Sequence, residues 1–397
     1  MKNLIDHRVL GPRYDLFSFF EHEGPGLPVW LPGGLKMKNA LIHYWRGLHQ
    51  EGGYQEIESP MMLAKELWQR SGHCDYFEEN MYFSSVDKRD YAIKPMNCPG
   101  ALLLFAAKRR YEHELPLRLS ELGHVHRHEH SGALHGLMRV RSFVQDDAHI
   151  FCKKEQLLSE VEGVIALIEK IMNHCELKKY HFELSLRGGS KRYLGSDEDW
   201  EFAQEVLRQA VISSGHSVIE REGEAKFYGP SLDLHLEDVH GRSWQCSSVQ
   251  LDFNLPGRFD LHYFDGAGER HIPYMLHRAI FGSLERFIGI LLENFGKSLP
   301  LWMHPLPFQI LSAKESSNAY AQEIAKALEG EGLSYEIDLS SERLAAKLKK
   351  AYRSFSREII VVGEHERKSQ SLKIRSPGLE QVREISFSHF KAQLENP

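Results

Sequence analysis

Pro300, Pro305 and Pro307 fall within SLPLWMHPLPFQ at 298–309, between an apolar helical pattern and a strand-like run. Proline lacks an amide hydrogen and clashes with the preceding helical turn, so this cluster ends regular structure and divides the chain at 303/304. Beyond it FQILSA reads as strand, SNAYAQEIAKALEGEG as a helix closed by glycine, LSYEIDL as strand, ERLAAKLKKAYRSF as helix and EIIVVG as strand. That alternation predicts a small α/β domain over 304–397. Before the boundary, YAIKPM, LPLRLSELGHVHRHEH, YHFELSL, SLDLHLEDV and SWQCSSVQLDF alternate polar with apolar or aromatic residues between longer helices. Residues 1–303 are therefore expected to form an antiparallel sheet flanked by helices, and the whole chain to be α+β.

A net charge of −6 over 397 residues excludes a polybasic binder of nucleic acid, so any such contact needs a local patch. One candidate helix carries Arg343, Lys347, Lys349, Lys350, Arg353 and Arg357 with no acidic residue among them, and Leu344, Leu348, Tyr352 and Phe355 as its expected inner face. A solvated helix face is the plainer reading of that run; a phosphate-tracking patch is the alternative. Cys74, Cys98, Cys152, Cys175 and Cys246 are odd in number and scattered, which points to a reducing compartment rather than a disulfide framework. The N-terminal MKNLIDHRVLGPRYDLF has no apolar core suited to a signal peptide, and no long apolar run suggests a spanning helix. A cytoplasmic protein without a membrane partner is expected.

Neither a GxxxxGK[ST] loop nor a strand-linked GxGxxG is present, so a nucleotide would need another cradle. The best candidate is 119–151, where Arg127, Arg139 and Arg141 flank a Ser-Gly turn and Asp146, Asp147 and His149 follow. If 122–130 is a strand, Arg127 and Glu129 share one face and His124, His126, His128 and His130 the other. The histidines are then too far apart along the strand for most of them to share one ion, and a hydrogen-bonded polar face is expected.

RHEHSGALHGLMRVRSFVQDDAHIFC at 127–152 resembles the second signature motif of class II aminoacyl-tRNA synthetases, in the form particular to threonyl-tRNA synthetases. GGYQEIESPMM at 52–62, with Pro60, resembles motif 1, and HRAIFGSLERFIGILLE at 277–293 resembles motif 3. KPMNCPG at 94–100, FYGP at 227–230 and WQC with VQLDF within 244–253 follow the same family order. The resemblance implies a class II catalytic domain followed by an anticodon-binding domain. It implies that threonine is activated with ATP and magnesium, then transferred to tRNA(Thr). Arg127 would contact the α-phosphate, Glu129 would receive the adenine amino group, and Arg286 would grip the nucleotide from the other side, a task suited to the planar guanidinium fork. By the same carry-over Arg139 and Gln245 belong to the nucleotide side, Gln145, Tyr228 and Gln250 to the threonine side, and Gln250 joins Arg127 and Arg286 in the catalytic set.

Cys98, His149 and His277 align with the family's zinc ligands, although gaps of 51 and 128 residues fit no finger pattern. Threonine's amino and hydroxyl groups would bind that zinc, with Asp147 accepting from the hydroxyl. Valine, lacking the hydroxyl, would leave buried polar groups unsatisfied, whereas serine differs by one methyl, worth about 1–3 kcal/mol. A chain that starts at the catalytic domain is expected to lack editing in cis, to activate serine measurably and to depend on a separate editing protein. Motif 1 implies a homodimer, and Arg343, Glu366 and Arg375 match anticodon-contacting positions.

Four positions depart from the family pattern. Ser231 stands where most relatives carry a lysine near the reacting phosphate, and Ser247 where a glycine allows close approach; Leu31 replaces a histidine found in some relatives, and Ser341 differs beside Arg343. These departures keep open two rivals: an enzyme activating a β-hydroxy amino acid for a carrier other than tRNA, and a catalytically silent tRNA-binding regulator.

Overall fold

The computed structural model describes residues 6–189, 193–377 and 381–395, so the N-terminal leader reading falls partly outside it. The chain forms two compact units: residues 19–28 with 44–290, and residues 1–18 and 29–43 with 291–397.

The first of these is built on an eight-stranded sheet. Its strands in chain order are β1 (Gln55–Glu56), β2 (Leu117–His126), β3 (Ser142–Cys152), β4 (Tyr180–Leu186), β5 (Val218–Glu222), β6 (Ser231–Glu237), β7 (Ser243–Asp252) and β8 (Tyr274–Ser283). Their lateral order is β5-β4-β6-β7-β8-β3-β2-β1. The pairs are antiparallel, as expected, except at the two edges, where β4–β5 and β1–β2 run parallel. Alternation gives each central strand two unlike faces. Phe182, Leu184, Leu232, Leu234, Val249, Leu251, Leu276 and Ile280 are buried on one of them. Two helices, Leu157–His174 and Asp197–Ser213, pack on each other and on this sheet through buried residues at helical spacing, among them Val161, Val164, Ile168, Trp200, Leu207 and Val211. The opposite face carries the polar residues of the site.

The expected strand over 122–130 is shorter: β2 ends at His126, the Arg127 amide adds one more bond in the same register to the Arg141 carbonyl, and the amides of His128 and Glu129 then turn to the carbonyls of Asn80 and Arg127. The two-residue period therefore does not extend to Glu129 or His130. Among the described residues, none of His124, His126, His128 and His130 belongs to a group able to hold a metal.

The other unit contains a five-stranded sheet of β9 (Phe308–Ser312), β10 (Tyr335–Asp338), β11 (Glu358–Val362), β12 (Ser371–Ser376) and β13 (Gln381–Ser386), ordered β10-β9-β11-β12-β13. β9–β11 are parallel, matching the three expected strands; β12 and β13 add an antiparallel pair that the sequence reading did not assign. The expected basic helix is α-helical over Leu344–Arg353, but its faces differ from expectation. Lys347 is buried, with Nζ donating to the carbonyls of Ser312, Asp338 and Ser340, while Tyr352 is exposed. Three carbonyls and the Asp338 carboxylate at 3.4 Å compensate the buried ammonium group. All five cysteines are free, and among the described residues no helix is long and apolar enough to cross a membrane.

Candidate active site

Cross-strand register sets the site's layout. His149 of β3 lies opposite His277 of β8, which lies opposite Gln250 of β7, which faces Ser231 of β6. The adjoining row runs Glu121, Asp147, Ala279, Ser248, Asp233. Side chains opposite one another on neighbouring strands stand about 5 Å apart, so residues far apart in sequence become neighbours. In the second row the small Ala279 between Asp147 and Ser248 leaves room above the sheet.

That room belongs to a cavity of about 420 Å³. Its walls include all twelve expected residues from this part of the chain: Cys98, Arg127, Glu129, Arg139, Gln145, Asp147, His149, Tyr228, Gln245, Gln250, His277 and Arg286. The volume suits a nucleotide-sized or smaller ligand.

At one end, the ligand atoms of Cys98, His149 and His277 lie within 4.8 Å of one another. One sulfur and two imidazole nitrogens form a donor set suited to zinc with an open position. Burial pushes the Cys98 thiol well above its ordinary range and keeps His149 neutral, as a ligating imidazole must be. Nε2 of His277 is 3.0 Å from Oδ2 of Asp252, whose other oxygen accepts from the amides of Asn254 and Leu255. Such a carboxylate fixes the orientation of a ligating ring. The residues fit the metal. Asp147 sits beside this cluster, 3.8 Å from His149, and burial pushes its carboxyl up to about 6, against the pull of the Asn97 amide that donates to Oδ2 at 3.1 Å. Tyr228 donates to Gln250 Oε1 at 2.7 Å. The buried amide oxygen of Gln145 has no hydrogen-bond partner among the described residues.

Towards the other end, Arg127 Nε donates to the Pro95 carbonyl at 3.1 Å, and its guanidinium lies over Phe143. Arg286 donates from Nε to Met138 O and from Nη1 to Gln245 O, both at 2.9 Å. Burial lowers the proton affinity of both arginines, yet at neutral pH a guanidinium stays charged. Each is held by backbone carbonyls on part of its fork and keeps other N–H groups for a ligand. Glu129 stands 3.9 Å from Arg139.

Ser247 departs from expectation. It does not narrow the cavity: its side chain is fully buried and donates to the carbonyl of Ile280 at 2.5 Å. Strand alternation turns it to the other face from Ser248 and Gln250, which line the wall instead. Sequence reasoning also missed Asn97, Asp252, His73 and Lys226. Asn97 and Asp252 lie inside quoted motifs and could have been singled out there.

Of the expected tRNA contacts, Arg343 precedes the helix Leu344–Arg353, and Arg375 lies on β12 opposite Ile359 and Val382. Glu366 is buried and accepts from the Gly363 amide at 2.8 Å, capping its own short helix.

Residues 77–295 match the family described as tRNA synthetase class II core domain (G, H, P, S and T), and residues 307–396 match an anticodon binding domain. A crystal structure titled as the RNA binding domain of threonyl-tRNA synthetase from Cryptosporidium parvum aligns over 98% of both chains, with a TM-score of 0.89 and 33% identity. The chain belongs to the threonyl-tRNA synthetase family. A threonine--tRNA ligase of Acetivibrio thermocellus is 48% identical over 94% of this chain and 58% of its own length; one from Clostridium botulinum is 45% identical over 98% and 61%. The chain thus spans about three fifths of the length of these curated relatives.

Proposed function

We propose that this chain activates L-threonine with ATP and magnesium to threonyl-adenylate and transfers it to tRNA(Thr), with one zinc ion held by Cys98, His149 and His277. The observation that carries the reading is that this S/N/N cluster, Asp147, Arg127 and Arg286 line a single cavity. Attack of a carboxylate on an α-phosphate needs alignment and neutralisation of charge more than a general base. Arg127 and Arg286, anchored on carbonyls, supply positive charge without reorganising. Asp147, oriented by Asn97, accepts the threonine hydroxyl, and the unpaired Gln145 oxygen offers an acceptor for a substrate donor. Bound zinc would supply a Lewis-acid contact for the amino and hydroxyl groups. Valine would leave Asp147 unsatisfied, and serine would be separated only by its missing methyl.

We place the division between the catalytic and anticodon-binding parts at 303/304; the family matches end at 295 and resume at 307. The anticodon match favours tRNA over another carrier, with Arg343, Glu366 and Arg375 the contacts we infer. Met61 and Met62, at the end of the motif 1 stretch, are 46% and 48% exposed, which supports a subunit interface there. A homodimer mass by light scattering at micromolar concentration is expected. The cytoplasmic assignment rests on the scattered, free cysteines.

The deciding experiment is charging of tRNA by the zinc-loaded protein with labelled threonine and ATP. Threonyl-tRNA formation is expected. Threonine-dependent ATP consumption without charging would overturn transfer, and no consumption would overturn activation.

A further inference from the structure

Most cations around the cavity already have polar partners. Arg127 and Arg286 are tied to carbonyls, Arg139 stands beside Glu129, and Arg278 turns to His49 and the Asp146 carbonyl. Lys226 is the exception: it lines the cavity and is exposed, and among the described residues its ammonium group has no hydrogen-bond or ion-pair partner. Nor is it on a loose loop. Lys226 and Gly229 pair across a tight turn, Phe227 within it stacks on Tyr76 at 4.0 Å between centroids, and Tyr228 is held by Gln250. A flexible four-carbon stem therefore starts from a fixed point on the cavity rim.

The position that should carry a lysine by family resemblance cannot serve. Ser231 is buried, and its hydroxyl donates to Asp233 Oδ2 at 2.9 Å. Oδ1 of Asp233 accepts from Gln245 Nε2 at 2.7 Å and Ser248 Oγ at 2.6 Å. Neutral donors satisfy this carboxylate and hold two residues of the cavity wall.

We propose that Lys226 is a phosphate-binding residue of this site, supplying from the preceding turn the positive charge that Ser231 does not. The inference rests on the reading of the site as an ATP-dependent threonine-activating centre. An ammonium on a mobile stem acts as a point charge on a phosphate, complementing the fixed forks of Arg127 and Arg286.

The test compares wild type, Lys226→Met and Lys226→Arg as zinc-loaded full chains in threonine-dependent ATP–pyrophosphate exchange, with ATP binding measured separately by calorimetry. Lys226→Met is expected to lower kcat/KM for ATP at least about tenfold and to weaken ATP binding, leaving KM for threonine within about twofold. Lys226→Arg, which keeps the charge, is expected to retain most activity. ATP parameters of Lys226→Met within about twofold of wild type would overturn the proposal, as would equal losses in both variants or a change confined to the threonine KM. Wild type without threonine-dependent exchange would instead overturn the activation reading, and ATP binding by wild type and Lys226→Met would still decide the role of Lys226.

Discussion

Gly123 shows how a residue with no side chain can shape the chemistry. A Cβ there would lie 2.0 Å from Asn97 Oδ1, so only glycine lets the Asn97 amide reach Asp147. Asn97→Ala and Gly123→Ala should each lower kcat/KM for threonine by about 10–100-fold, the usual cost of losing a group that orients a binding residue, with KM for ATP nearly unchanged. Steady-state pyrophosphate exchange checks both; a normal threonine KM in Gly123→Ala would show that Asn97 does not orient Asp147. Lys94 makes a second prediction. It donates to Glu121 Oε1 at 2.6 Å, both side chains are buried, and Ser59 donates to the same oxygen through its amide and hydroxyl. Lys94→Met would strand a buried carboxylate and should cost about 3–5 kcal/mol in denaturant unfolding. The types and motif positions of Cys98, His149 and His277 were legible in the sequence by resemblance, whereas their spacing alone was not informative. Gly123 was not legible, because its role depends on what packs against it from a segment 26 residues earlier.

Among the elements, those with clean alternation were readable: YHFELSL coincides with β4, and FQILSA and EIIVVG contain β9 and β11. β2 was read too long because the alternation of His126, His128 and His130 continues in sequence after the ladder has stopped. β12 and β13 were missed because SLKIRS and QVREIS offer only two apolar residues each, too short a pattern to single out. Asp146 explains how motif 3 is shaped. Its carboxylate accepts the amides of Ile280, Phe281 and Gly282, where β8 bulges before the helix Leu284–Phe295 that carries Arg286. The β8 strand is also tied to the helix Pro32–Glu51 through His49. Nδ1 of His49 donates to the Trp45 carbonyl, leaving Nε2 to accept from Arg278. Burial and the adjacent guanidinium lower its pKa from 6.5 to about 2. Below pH 6.5 the unfolded chain takes up a proton that the folded ring refuses, so stability is lost as pH falls from about 6.5 towards 2. Unfolding midpoints at pH 7.5 and pH 5 should differ more in wild type than in His49→Gln; equal differences would exclude His49 from the acid limb.

For the whole molecule, the α+β class and the order of sheet-based regions followed from the proline run and the strand periods, while the lateral strand order did not. Strand order depends on pairings between distant segments that no local pattern encodes. Removing zinc with a chelator should release one equivalent per chain and lower the thermal midpoint, and Cys98→Ala should bind no stoichiometric zinc; metal analysis together with calorimetry reads both. The adjacency of His149 and His277 then carries a consequence for assembly. β3 and β8 meet through antiparallel register, and Cys98 approaches from the start of its own helix, Cys98–Ala106. A slip of one residue would send one histidine through to the apolar side of the sheet. The ion would thus act as a proofreader of strand alignment during folding, rewarding only the correct pairing, and at a free concentration of 100 times its dissociation constant it would bias the chain towards that pairing by about 2.7 kcal/mol.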